Sequence, residues 1–374
     1  MSDNNIRFSY FQLGPDVTEV VKNGVEAEAA GFDQMWIADH LADAPPINRS
    51  GMGSDPLPGN AAVLDAWTML AYVGSKTNRI KLAPGVTDIQ RIHPAKTASI
   101  VSTLDHLTSG RAVLGIGAGE VMNTKPYGMK WESPGVRVNR LKEYLAVVKL
   151  LWSSSYEEPV SFNGEFYSMD EAHLGLTPLQ NPHPPIYVGS FAGTKMLSLT
   201  GEMADGWFPG TPNTPDSYRE KINLIREAAK RAGRKFDEID VIAWLPIQVG
   251  TSPEVREKVK QEFKRQIVFQ RHLLKILGAE EVIERLPKEL EYQYFTPTLR
   301  ERDALQKMID QLLIPEEVLQ KGLDTMMAIG SVDQCIESIE KFVKAGATHI
   351  YPLPYYEDKV TREAIVTKIM PHFK

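Results

Sequence analysis

The feature that most constrains this chain is a rhythm: eight short apolar runs alternate with segments whose apolar residues recur at helical spacing. The runs are Ile6–Phe11, Gln34–Ile37, Ile80–Val86, Ala112–Gly117, Pro185–Gly189, Gly206–Phe208, Val241–Val249 and His349–Leu353. Between them Val17, Val20, Val21 and Val25 outline a helix closed by Ala30-Gly31, and Asp65–Ser75, Pro94–Leu107, Arg137–Trp152, Lys195–Met203 and Tyr218–Ala232 read as further helices. Ser331 and Gln334 form a capping box ahead of a last helix, which carries Val332, Cys335, Ile336, Ile339, Phe342 and Val343 on one face. Strands alternating with helices point to a parallel sheet, and eight of them close it into an α/β, (β/α)8 TIM barrel. An open doubly wound sheet is the competitor. It would want a G-x-G-x-x-G turn after the first strand, and Phe11-Gln12-Leu13-Gly14-Pro15 lacks that spacing.

A plain barrel needs about 250 residues, and this chain has 374. The surplus falls in a Pro/Gly-rich loop at Ala44–Ala61, a polar and aromatic excursion at Val160–Met169, and the stretch Glu254–Gly330. That last stretch is helical and charge-rich, is broken at Gly278, Pro287, Pro297 and Pro315, and contains no good strand. With no linker or internal repeat, we expect one TIM-barrel domain over residues 1–374, with 254–330 as a helical insertion after strand seven. All three insertions are expected at the C-terminal rim, where barrel enzymes build their sites.

Composition closes off several function classes. The net charge is −6 without a broad basic field, so nucleic acid is not an expected partner. The one cysteine, Cys335, sits on the apolar face of its helix, which excludes an intrachain disulfide and a multi-cysteine metal site. The eight histidines are scattered without a close pair, so no metal centre is expected. No apolar run approaches the ~20 residues of a membrane span, and the N-terminus lacks the pattern of a secretory signal. The expected setting is the cytoplasm and the expected partner a small-molecule substrate.

Three strand ends carry residues suited to chemistry. Asp39-His40 closes strand two with a carboxylate beside an imidazole, a pair suited to proton handling or, equally, to a loop hydrogen bond. Gly115-Ile116-Gly117-Ala118-Gly119-Glu120 closes strand four. Its glycines let the backbone approach a flat ligand, though they also suit any tight turn, and Glu120 would point into the mouth. Gly189-Ser190-Phe191-Ala192-Gly193-Thr194-Lys195 closes strand five and opens a helix. Free N–H groups there bind anions, and Ser190, Thr194 and Lys195 add donors; capping by Ser190 or Thr194 is the plain alternative.

Together these segments resemble the luciferase-like family of barrel oxidoreductases, in its branch that uses the deazaflavin coenzyme F420, nearest to its ketoreductases and methylene-pterin reductases. The residues that carry the likeness are Trp36–His40, Ala66–Leu70, Gly85–Asp88, Ser109–Glu120, Pro126-Tyr127-Gly128, Trp131, Pro185–Gly189 and Ala204–Trp207. The resemblance implies a deazaflavin ring over strands two to four, a non-proline cis peptide at Gly85-Val86 followed by Thr87, and a cofactor phosphate on Gly189–Lys195. It assigns Asp39, Gly117, Ala118, Gly119 and Glu120 to the cofactor, and it implies a homodimer or higher homo-oligomer. The acidic residue after the glycine run, Glu120, favours F420 over FMN.

The departures from that pattern bear on the substrate. Methylene-pterin reductases carry a catalytic glutamate in strand one, where this chain has Phe11 with Tyr10 beside it. F420-dependent sugar-phosphate dehydrogenases hold their substrate with basic residues, and Trp207–Gly210 and Leu323–Ile329 offer none. Tyr10, Phe11, Trp67, Tyr127 and Trp207 are the expected pocket aromatics, suiting a carbonyl or alcohol on an apolar molecule; packing at the barrel rim would use the same residues. His40 is the expected proton donor and acceptor, Glu120 the second choice, and Asp39 the group that orients His40 or bonds the ring. The alternatives are an FMN-dependent monooxygenase of the same family and a non-catalytic ligand-binding barrel.

Overall fold

The computed structural model describes residues 5–12, 16–41, 63–191, 193–250, 252–286, 312–354 and 359–374. The loop expected at Ala44–Ala61 and the breaks at Pro287 and Pro297 lie outside these residues. The first half runs β1 (Arg7–Gln12), α1 (Val17–Ala29), β2 (Gln34–Ile37), α2 (Ala66–Gly74), β3 (Lys81–Pro84), β4 (Thr87–Asp88), α3 (Pro94–Leu107), β5 (Leu114–Gly117) and α4 (Pro134–Trp152). A hairpin, β6 (Val160–Asn163) and β7 (Ser168–Ala172), leads into β8 (Ile186–Gly189), α5 (Thr194–Met203), β9 (Gly206–Phe208), α6 (Pro215–Arg231) and β10 (Asp240–Val249). Four described helices follow: α7 (Pro253–Phe269), α8 (Arg271–Leu277), α9 (Glu280–Arg285) and α10 (Glu316–Met326). The chain then forms β11 (Ala328–Gly330), α11 (Val332–Lys344) and β12 (His349–Pro354).

The strand order is β3-β2-β1-β12-β10-β9-β8-β5-β4, with these neighbours parallel. Because β4 continues β3 after two residues, and Leu82 bridges Ala112, the order returns on itself as a nearly closed barrel. The expected third strand is thus split in two around a cis peptide bond at Gly85-Val86. Local signals agree with the ends of the helices. Asp16 and Asp65 accept from the backbone N–H three residues on, and the capping box of Ser331 with Gln334 is formed.

Alternation along the strands sorts the core into an inner cluster and outer ones. Trp36, Ala83, Val113, Tyr187, Phe208, Ile242, Trp244, Tyr351 and Leu353 form one cluster, with Phe11 and Val86 packed against it. Side chains from so many strands meet only inside the barrel. Its N-terminal end is closed by a buried polar network. Asp240 Oδ2 is 2.8 Å from His349 Nδ1 and accepts from the Tyr187 hydroxyl at 2.6 Å, while Oδ1 accepts from Arg7 at 2.7 Å. His349 Nε2 lies 2.8 Å from Ser9 Oγ. This Ser–His–Asp chain is sealed in the core and plugs the barrel, because Ser9 and His349 are both fully buried.

Two expectations about the surplus fail. The excursion around Val160 does form a hairpin, but it follows a helix and not a strand, so it departs from the opposite end of the barrel. It packs along the outer flank of α4, where the Glu143 carboxylate accepts from the amides of Glu165, Phe166 and Tyr167 and Tyr144 meets Tyr167 edge to face. The stretch Glu254–Gly330 is not free of strands either. Ala328–Gly330 is β11, paired parallel to the end of β10 at Ile247–Val249. The described insertion helices bury a cluster of their own, including Val259, Phe263, Ile267, Leu274, Leu319 and Leu323.

Candidate active site

The C-terminal mouth is assembled from the ends of β2, β4, β5, β8 and β9. Inside it, Val113 and Tyr187 fill the lower barrel, while the inward positions above them are Gly115, Gly117 and Gly189. Val86 takes the room these glycines leave. A Cβ at Gly189 would come within 2.8 Å of Val86 Cγ2, and one at Gly117 within 3.2 Å of the same atom. The result is a small apolar floor at the C-terminal end of the barrel, with Gly117-Ala118-Gly119 on one side and Gly189-Ser190 on the other. Gly119 has φ +89, a conformation that favours glycine, and Arg137 secures the turn. Its guanidinium donates to the Gly119 carbonyl at 3.1 Å and lies 3.9 Å from the centre of the Trp131 ring.

Beside this floor stand His40, Glu120 and Asn123. The amide of Leu41 donates to Asn123 Oδ1 at 3.0 Å, which turns Asn123 Nδ2 toward its neighbours. That nitrogen is 3.2 Å from His40 Nδ1 and donates to Glu120 Oε2 at 3.4 Å, while Glu120 Oε2 and His40 Nδ1 are 3.6 Å apart. A short helical turn makes the meeting possible: the Asn123 amide donates to the Glu120 carbonyl at 3.2 Å, so residues three apart share one face. With Nδ1 accepting from Asn123, neutral His40 carries its proton on Nε2. With Nδ1 protonated, the Glu120 carboxylate 3.6 Å away is its counter-ion.

Asp39 does not orient His40. It is buried and held by Arg91, which donates to both of its carboxylate oxygens and to its backbone carbonyl, the shortest contacts being 2.9 Å. The same guanidinium reaches Asp88 Oδ2 at 2.5 Å. Burial opposes the Arg91 charge, but Asp88 and Asp39 outweigh it and raise its pKa above the ordinary arginine value. The network ties the end of β2, which carries His40, to the end of β4 next to the floor.

The turn after β8 offers donors at its helix start and at Ser190. The helix α5 has Gly193 as its N-cap and no capping side chain, so its first amides have no cap partner among the described residues. Ser190 Oγ accepts from Trp207 Nε1 at 3.0 Å, which leaves the hydroxyl hydrogen for another acceptor. Thr194 and Lys195 are exposed, Phe191 is half-buried, and Ala192 lies outside the described residues. Trp207 itself is a correction. It is fully buried outside the barrel, stacked on Tyr218 at 5.5 Å, because its neighbour Phe208 takes the inward position of β9.

Of the other expected pocket aromatics, Phe11 faces inward, 5.6 Å from the Tyr351 ring. Tyr10 points the other way and packs edge-on against Phe32, Trp67 is buried in the layer between helices and sheet, and Tyr127 is exposed at the rim. Residues that sequence reasoning passed over are Asn123, Arg91 and Trp244. The first two follow Glu120 and Asp88 by three residues, a spacing that links side chains across one short turn. Trp244 gave no such signal. Its indole N–H is buried inside the barrel and has no hydrogen-bond partner among the described residues.

These features fit a flat ring with an anionic tail: a glycine-lined floor, an unpartnered indole donor, and a donor-rich turn. The comparisons with known proteins agree with the architecture. The family model described as luciferase-like monooxygenase matches residues 6–349. The phthiodiolone/phenolphthiodiolone dimycocerosates ketoreductase of Mycobacterium sp. (strain JLS) is 33% identical over 269 residues, 67% of this chain and 68% of that protein. The F420-dependent glucose-6-phosphate dehydrogenase of Nakamurella multipartita is 33% identical over 268 residues, 70% of this chain and 72% of that protein. Among solved structures, the coenzyme F420-dependent tetrahydromethanopterin reductase from Methanopyrus kandleri shares the fold, with a TM-score of 0.73 at 24% identity over 99% of this chain and 100% of that one. From its nearly closed barrel to a family match that runs over most of its length, the chain belongs to the luciferase-like monooxygenase family.

Proposed function

We propose that this chain is a coenzyme F420-dependent oxidoreductase acting on a carbonyl/alcohol, C=N or C=C group of a largely apolar small molecule. The observation that carries the reading is the His40–Asn123–Glu120 group beside the glycine-lined floor at Val86. It sets a proton carrier at the edge of a surface suited to a flat ring. The two curated relatives support it by name, one a ketoreductase and the other an F420-dependent dehydrogenase.

In this reading Val86, Gly117, Ala118, Gly119 and Gly189 receive the ring, and Ser190 with the first amides of α5 receives the phosphate. Bound there, the deazaflavin supplies two-electron hydride chemistry. The protein supplies position, dryness and a proton. His40 Nε2 has no hydrogen-bond partner among the described residues and is the nitrogen left for a ligand. When His40 gives its Nε2 proton to a nascent alkoxide, Nδ1 must carry the other proton, and the nearby Glu120 carboxylate favours that charged form as its counter-ion. In the reverse direction the same arrangement makes Nε2 the acceptor. Asn123 favours the resting tautomer, so Glu120 and Asn123 stabilise opposite states of one imidazole. Phe11, Phe208, Trp244 and Tyr351 give the interior its apolar, aromatic character.

The experiment is single-turnover transfer with a panel of apolar ketones and secondary alcohols, in wild type and His40→Ala. The transfer rate should fall about 10²–10⁴-fold, the usual worth of a positioned acid–base group, with cofactor affinity kept within about threefold. Equal loss of rate and affinity, or loss of neither, contradicts the role of His40. FMN is the competing cofactor because the same floor accepts an isoalloxazine ring.

A further inference from the structure

One buried charge is left unexplained by this account. Lys221 lies on the inward face of α6 among Tyr218, Ile222 and Ile225 and is only 8% exposed. Its ammonium donates to the Phe191 carbonyl at 3.0 Å and to Asn213 Oδ1. No carboxylate lies within ion-pair distance of it among the described residues. The charged and titratable groups that face it are few. Among the described residues, Glu220 on its own helix is the charge that favours its protonated form. From α8, His272 reaches the cluster through Thr211, with Nε2 3.1 Å from the hydroxyl. Burial first and the Lys221 charge second push the His272 pKa down to about 3, so this imidazole adds no charge at neutral pH. A buried ammonium with only neutral partners is costly unless another charge completes it.

Phe191 is in the middle of the turn that follows β8. One side of that turn carries the uncapped first amides of α5 and the Ser190 hydroxyl, whose hydrogen has no acceptor among the described residues. Lys221 stands behind it. We propose that Lys221 is the counter-charge for a phosphate held on the Gly189–Lys195 turn, acting from behind the turn by fixing the Phe191 carbonyl and supplying the positive field. This rests on the reading of that turn as the cofactor's phosphate site and goes beyond it, because Lys221 is far from the motif in sequence. It is a positioning residue, not a catalytic one. Burial lowers its pKa to about 8. An anion arriving on the turn favours the charged form, so phosphate binding takes up a proton near that pH.

The test is fluorescence titration with F420 and with its phosphate-free deazaflavin riboside, in wild type, Lys221→Met and Lys221→Arg. Lys221→Met should weaken F420 about tenfold or more and leave the riboside within about twofold, and Lys221→Arg should restore most of the loss. Calorimetry in two buffers of different ionisation enthalpy should show wild type taking up protons at about pH 8 with F420 but not with the riboside, and this readout holds even if Lys221→Met does not fold. Equal weakening of both ligands, no weakening, or no ligand-specific proton uptake overturns the proposal. Wild type that binds both ligands equally places the phosphate elsewhere and overturns it while the ring site stands. Wild type that binds neither overturns the cofactor reading as well.

Discussion

At the scale of single residues the site is a set of paired constraints. His40 sits between an amide that stabilises one tautomer and a carboxylate that stabilises the other. Glu120→Gln should therefore lower turnover more than Asn123→Ala, and it should do so with little change in cofactor affinity, as read by the kcat-against-Kd split. Arg91 is the other decisive side chain. Arg91→Met leaves Asp39 and Asp88 buried without their shared partner, and removing one member of a buried pair costs about 3–5 kcal/mol. Thermal unfolding should record that loss, and Arg91→Lys should recover part of it, since a lysine keeps the charge but not the fork. Asp39 and His40 were legible as a chemical pair from adjacency at a strand end. Their separation into two networks was not, because Arg91 and Asn123 come from other strand ends that only the closed barrel brings together.

At the scale of elements, the strands were legible because each is a short apolar run between turn residues, and the helices because their caps and apolar faces are local. What failed was placement. The hairpin at Val160–Ala172 has the composition of a rim insertion, but its place after α4 sends it to the other end and along the outside. The three residues of β11 carry no periodicity that could mark a strand, and their partner, the end of β10, is about eighty residues away. Trp207 and Phe208 are adjacent aromatics at a strand end, and which of them faces inward depends on register alone. The floor at Val86 is the element whose geometry can be tested most simply. In Gly189→Ala the new methyl meets Val86 at 2.8 Å. Overpacking of this kind costs about 1–3 kcal/mol. If Val86 yields by moving into the mouth, ring affinity should fall about tenfold or more, measured against riboside and F420 alike, which separates this change from the effect of Lys221.

At the scale of the whole molecule, the barrel has a polar plug at one end and the proposed active-site mouth at the other. Asp240 belongs to the plug. Burial alone would raise its pKa, but His349 and Arg7 hold it well below the ordinary aspartate range. A depressed carboxylate contributes stability that is fully present above its unfolded value of about 3.9 and is lost as pH falls through its folded value. Asp240→Asn should therefore cost about 3–5 kcal/mol at neutral pH and flatten the acid limb of the stability curve below about pH 4. It should leave the affinity of the mouth for its cofactor unchanged in the folded fraction. The barrel itself was legible from the alternation of its segments. The contacts that the described insertion helices make in their own cluster were not, since they join residues on opposite sides of 287–311. The central claim is that this mouth is built for a deazaflavin and for hydride chemistry. It is tested most directly by equilibrium titration of the purified protein with oxidised F420 and, separately, with FMN. We predict that F420 binds at least about tenfold more tightly, a preference of about 1.4 kcal/mol or more. Equal affinity, or a preference for FMN, would contradict the account.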